Sequence, residues 1–210
     1  MKKILLTVIF ALSLLLVGCL PANNGNGDGN GNGDGTDNPD EVAKTLFNER
    51  LQFLDENNFE LEIKVKDHQA LKETIVMMYF DGDVVKYIDG DYEAYYDNSG
   101  SKSKMYEKQG NTFVVSESNF KSSDLFFYGF EFEQFSVNNE TSYIMKSDAL
   151  ASLDGFIGLH EAVDSIEVLQ LRANENHIHE IIFDIVVNET TYLVTLTISN
   201  IGQVNLVLPA

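Results

Sequence analysis

The stretch Phe59-Glu60-Leu61-Glu62-Ile63-Lys64-Val65-Lys66 alternates apolar and charged residues without a break. Successive side chains of an extended chain point to opposite faces, so Phe59, Leu61, Ile63 and Val65 share one face and four charges share the other. One dry face and one wet face is the mark of an antiparallel sheet; a parallel strand covered on both sides reads as continuously apolar. The residues that follow repeat the theme. Segments 74–80, 84–88 and 92–96 are separated by Asp81-Gly82-Asp83 and Asp89-Gly90-Asp91, and Asp-Gly between apolar runs signals a hairpin. Turns at 98–101 and at Gln109-Gly110-Asn111 bound two more strands, 102–108 and 112–117. Six short strands therefore follow one another as a meander.

Upstream, Asn38-Pro39-Asp40-Glu41 predicts a helix start, with an N-cap Asn, Pro in the first turn and acids against the helix dipole. Val42, Leu46, Arg50 and Phe53, with Ala43, Phe47, Leu51 and Leu54, continue it at 3–4 spacing to about Glu56. Lys44 and Arg50 are too few cations for a helix lying on a membrane, so it is expected to pack on the sheet. Downstream, residues 122–128 read as a short helix capped by Ser122-Ser123-Asp124. Strands are expected at 130–137 and 142–146, around Asn138-Asn139-Glu140. Asp148 caps a nearly all-apolar helix through Leu159, whose thin polar face predicts burial or a place across an opening. Strands at 165–172, 177–187 and 191–199 close the chain, and Gly202 breaks toward a last segment at 203–209. The expected class is α+β.

Composition narrows the function. The first eighteen residues hold two lysines and no acid, so the remainder has twelve basic residues against 33 acidic ones, a net −21. Binding nucleic acid releases counterions from a basic face, and here there is none to do so. One cysteine leaves no disulfide and no cysteine-based zinc or redox site. The core must come from hydrophobic packing, which fourteen Phe and nine Tyr supply.

The N-terminus carries an address. Met1-Lys2-Lys3 is basic, residues 4–17 are a 14-residue apolar run, and Leu16-Val17-Gly18-Cys19 ends it. That order is a secretory signal peptide, and the run is shorter than the ~20 residues of a transmembrane span. Leu16-Val17-Gly18-Cys19 resembles the lipobox of bacterial lipoproteins. The resemblance implies a diacylglyceryl lipid on Cys19, no other cofactor, and a place on the extracytoplasmic side of the cell membrane. Residues 23–38 are Asn, Gly, Asp and one Thr, with Asn-Gly-Asn-Gly-Asp-Gly written twice; nothing there can offset ordering entropy, so 19–38 reads as a flexible tether. The expected organisation is signal peptide 1–18, lipidated linker 19–38 and one β-rich domain 39–210.

Order of elements brings a second resemblance. An amphipathic helix, a long meander, buried helices and closing strands ending Tyr192-Leu193-Val194-Thr195…Ser199-Asn200-Ile201-Gly202…Leu208-Pro209 are similar to the LolA/LppX-like lipoprotein folds over about 39–209. This implies a strongly curved, incompletely closed antiparallel sheet, a half-barrel wrapped around a few helices. It also implies an acyl chain or other apolar ligand in the concavity. The expected lining is Leu61, Ile63, Leu153, Phe156, Ile157, Phe183 and Ile185. The alternative is a cell-envelope interaction module with a solid core, presenting an acidic, tyrosine-rich outer face to a protein partner that the sequence does not name.

Other constellations are weaker. Asn30, Asn32, Asp34, Gly35, Thr36, Asn38 and Glu41 fall at EF-hand-like positions, but the Asn/Asp/Gly repeat generates such matches, and no helix precedes them. His177 and His179 alternate on a strand, with Glu175 or Glu161 as companions, yet zinc takes three or four ligands; no metal is expected. Ser101-x-x-Lys104 and Ser118-x-x-Lys121 lack the partner motifs of acyl-transfer enzymes. No phosphate loop is present. The chain reads as a binding protein, not an enzyme.

Overall fold

The structure, a computed structural model, describes residues 39–121, 126–156 and 164–209. Helix α1 (Pro39–Asp55) leads into strands β1 (Phe59–Asp67), β2 (Glu73–Asp81), β3 (Val84–Asp89), β4 (Tyr92–Asp97), β5 (Ser103–Gln109) and β6 (Thr112–Ser118). Two 3-10 turns, Phe126–Gly129 and Phe132–Gln134, precede β7 (Phe135–Asn139) and β8 (Ser142–Met145). Helix α2 (Ser147–Phe156) is followed by β9 (Ser165–Ala173), β10 (Ile178–Val187) and β11 (Thr190–Ser199).

All eleven strands form one antiparallel sheet in the order β6-β5-β4-β3-β2-β1-β11-β10-β9-β8-β7. The meander predicted from 59–117 is one half of it. The other half returns to pair β11 with β1 through Leu61↔Ile198, Ile63↔Leu196 and Val65↔Val194. The middle of the sheet is therefore made from the two ends of the domain, and its edges, β6 and β7, are consecutive in the chain. These edges do not pair, so the sheet is an open one.

One face feeds a single hydrophobic cluster, to which β1–β4 and β7–β11 contribute buried side chains, with the partly buried Met105 of β5 packed against it. Gathering the inner faces of nine strands into one cluster is consistent with a curved sheet. Both helices sit on the C-terminal half: α1 against β10 and α2 against β9. Phe47, Leu51 and Leu54 bury the inner stripe of α1, whereas Val42 is 43% exposed. Phe47 meets Phe132, Phe135 and Tyr143 edge-on or tilted, with ring centroids 5.7, 5.3 and 5.1 Å away.

Three expectations change. Arg50 is no surface cation: it lies between Phe47 and Leu54 on the buried stripe, 4% exposed, and donates to the Glu140 carbonyl at 2.6 Å and the Tyr143 hydroxyl at 2.7 Å. The strand expected from residue 130 begins at Phe135, because Glu131 and Gln134 close a capping box around the Phe132–Gln134 turn. The alternation of His177 and His179 along one strand is interrupted by a register shift between Ile178 and Glu180; Ile178 joins the core and the histidines flank it. The 122–125 part of the expected short helix, residues 157–159 of the apolar helix and the N-cap Asn38 lie outside the described residues.

Candidate functional site

The rows of inner-facing residues across β1–β6 show where the sheet stops being covered. One row runs Leu61, Met78, Tyr87, Ala94, Glu107, Val114; its neighbour runs Phe59, Phe80, Val85, Tyr96, Met105, Ser116. As far as Ala94 and Tyr96 both rows are buried. Beyond them, Met105 and Glu107 are half-buried, Ser116 is exposed and Val114 is 45% exposed. On the other edge, Val137 faces inward opposite fully buried Tyr143, yet is 43% exposed. Two inward-pointing valines, one on each unpaired edge, thus flank the open side of an apolar interior.

The wall just inside the β6 edge is aromatic. Tyr87 and Tyr92 meet edge-on at 5.8 Å, and Tyr96 packs against Phe120 at 4.8 Å. The Tyr92 hydroxyl points at the Met105 sulfur, 4.0 Å away. Burial pushes the Tyr87 and Tyr96 phenols well above the ordinary range; burial, and then Glu107, raise Tyr92. Burial also raises Asp89, opposite Tyr92 in the register. Across physiological pH these phenols stay protonated, and half-buried Tyr92 keeps an O–H donor, turned to the Met105 sulfur, beside an apolar surface. Such a wall can pack methylene groups and hydrogen-bond an ester, carboxyl or amide oxygen.

The expected lining residues are distributed differently. Leu61, Ile63, Phe183, Ile185 and Leu153 are buried and belong to the one core cluster. Leu61 and Ile63 sit at the sheet's centre, and Phe183 and Ile185 face Val194 and Tyr192 on β11. The backbone of Phe156 ends α2, but its side chain, Ile157 and Cys19 lie outside the described residues. Sequence reasoning missed Tyr87, Tyr92, Tyr96 and Met105 as an inner wall, because the clustered tyrosines read as cross-strand pairs, or as one recognition surface, without being sorted by face. The signal was available: Tyr87 and Tyr96 keep the parity of Phe80 and Val85 through two-residue hairpins, whereas Tyr79, Tyr95 and Tyr106 have the opposite parity.

The histidines do not converge. The His177 ring stacks on Phe53 at 5.8 Å and lies against the Asn174 amide, and burial, then His179, lower its pKa. His68 pairs with Asp184 at 3.7 Å, while His160 and Glu161 lie outside the described residues. Among the described residues, no group of three His, Cys, Asp or Glu side chains is arranged to hold a metal ion. No described helix is long and apolar enough to cross a membrane.

No protein-family model matches the chain, and no curated protein matches its sequence. Among solved structures, it is similar to a LolA superfamily protein from Nitrosomonas europaea, with 5% identity and a TM-score of 0.35 over 78% of this chain and 94% of that one. A likeness at that level carries no ligand across.

Proposed function

We propose that the chain is a lipid-anchored extracytoplasmic protein that holds an acyl chain or another apolar ligand against the inner face of its sheet, on the β4–β6 side. The observation that carries this reading is the fading cover of the inner rows, from buried Ala94 and Tyr96 to exposed, inward-facing Val114. An apolar surface that continues from a core to an opening and carries a few polar groups is the usual form of a small-ligand site. The anchor is supported by the lipobox-like Leu16-Val17-Gly18-Cys19 and the Asn/Gly/Asp tether after it. Holding a ligand requires no catalytic group.

A single variant tests both halves. Cys19→Ser removes the lipid acceptor, and the chain is expected to move from the membrane fraction to the soluble one. Native mass spectrometry of that soluble form, purified without detergent, is expected to show an added mass that organic solvent extracts. Met105→Glu is expected to cut that occupancy about tenfold or more, since it replaces the wall's apolar side chain by a second carboxylate beside Glu107. A folded chain of bare polypeptide mass would overturn the ligand half. It would favour the solid-core interaction module, whose candidate surface is the outer face where Tyr95 packs edge-on to Phe113 at 5.7 Å and Lys86 lies 5.2 Å over its ring.

A further inference from the structure

The two edges of the sheet are built differently. Edge β7 has five residues and a register shift between Val137 and Asn139, and bulges and shortness are the ordinary ways to blunt an edge. Edge β6 has neither. Its seven residues, Thr112-Phe113-Val114-Val115-Ser116-Glu117-Ser118, pair with β5 from Ser118 to Thr112 without a shift. It holds no proline, lysine or arginine, and Val114 and Val115 are 45% and 55% exposed. On a chain of net charge −19, its one charge is Glu117, which its own Lys102 pairs at 2.9 Å. A straight, nearly uncharged edge of this kind is a template for another strand.

We infer that β6 pairs antiparallel with β6 of a second copy, about a two-fold axis through Val114, to make one continuous sheet. The register follows from the strand itself. In an antiparallel pair facing residues lie on the same side of the sheet, so a symmetric pairing must be centred on a residue. Centring on Val114 sets Phe113 opposite Val115 of the other copy on the outer face, and Thr112 opposite Ser116 on the inner face. Aromatic against β-branched is a favourable cross-strand pair, formed twice by symmetry. Glu117 falls opposite Asn111, clear of any like charge. Centring on Val115 instead would set Phe113 against Glu117, so sequence selects the first register. A foreign strand would find the same free backbone groups, but only a second copy brings this matched set. The pairing does not depend on a ligand being bound.

Cysteine cross-linking of the full chain in the cells that express it tests the register. Facing residues of an antiparallel pair have Cα atoms ~4.5–5.5 Å apart, within disulfide reach. Val114→Cys is therefore expected to give a covalent dimer on mild oxidation, well above the background of the wild type, in which only unlipidated Cys19 keeps a thiol. Val115→Cys should stay at background, because its facing residue is Phe113, and so should Val137→Cys on the other edge. Val114→Lys, a change at an exposed position, places two ammonium groups on the axis. With an unchanged melting temperature it is expected to leave the chain monomeric by sedimentation equilibrium in density-matched detergent, where the wild type associates. No dimer from Val114→Cys, equal cross-linking from Val137→Cys, or a monomeric wild type at the highest soluble concentration would each overturn the inference.

Discussion

Arg50 and Glu93 show how a single side chain is worth what its surroundings make it. The Arg50 guanidinium is the buried charge of α1, and it holds the β7–β8 turn by donating to the Glu140 carbonyl and the Tyr143 hydroxyl. Arg50→Ala removes both bonds, leaves the Glu140 carbonyl with only the 3.5 Å bond from the Tyr143 hydroxyl and empties part of the buried stripe, which is expected to cost about 2–4 kcal/mol. Urea denaturation should show this as a lower midpoint at unchanged slope, and Arg50→Lys should recover only part, since both bonds leave the one Nη1 nitrogen but an ammonium is more strongly hydrated and costs more to bury. Glu93 sits on the outer face between Lys108 at 2.5 Å and Lys86 at 3.0 Å. Lys108 first, then Lys86, holds its carboxyl down at about 2, against an ordinary 4.5. The folded pKa is the lower one, so this stabilisation is present above pH 4.5 and is lost as pH falls from there toward 2. Glu93→Gln is expected to flatten the acid limb of the stability curve in that window; an unchanged limb would mean the lysines contribute nothing net.

At the scale of elements, α1 is joined to the sheet by an aromatic seam whose outer end is the Phe53–His177 stack. His177 has its pKa lowered by burial and then by His179, with the Asn174 amide also against it. The unfolded chain thus takes up the proton first, and stability is lost as pH falls through the ordinary 6.5. His177→Phe keeps a ring on Phe53 and removes the titration, so its stability should fall less below pH 6.5 than that of the wild type; parallel curves would show that the stack is not what titrates. The turns were legible in location but not in detail. The Asp-Gly pairs do mark the β2–β3 and β3–β4 hairpins, yet each Asp is the last strand residue, and Gly82 (φ 56°) and Gly90 (φ 57°) open the loop. That is the arrangement in which a left-handed glycine takes the first central position. Between β10 and β11, Asn188 and Glu189 both have positive φ, at 49° and 64°, the other hairpin geometry, carried by a non-glycine pair.

Over the whole molecule, alternation of side chains was enough to find the strands. Phe59-Glu60-Leu61-Glu62 and its successors declared one dry and one wet face, and the short turns left consecutive strands little choice but to pair antiparallel. Composition likewise declared an acidic chain without a basic face, and residues 1–38 hold the lipobox-like and Asn/Gly/Asp stretches on which the proposed export and tethering rest. Three things were decided only in three dimensions. The pairing of β1 with β11 joins segments more than a hundred residues apart, and no local pattern encodes a partner at that separation. Burial of Arg50 depends on a carbonyl and a hydroxyl 90 and 93 residues away, so in sequence it is only a cation on a helix. Among the described residues, the cover thins at Tyr92, Met105 and Val114 because both described helices settle on the opposite half of the sheet. Periodicity reports which face of a strand is dry, which is local; what covers that face is set by how far the sheet curls and where the helices land, which belongs to the folded whole.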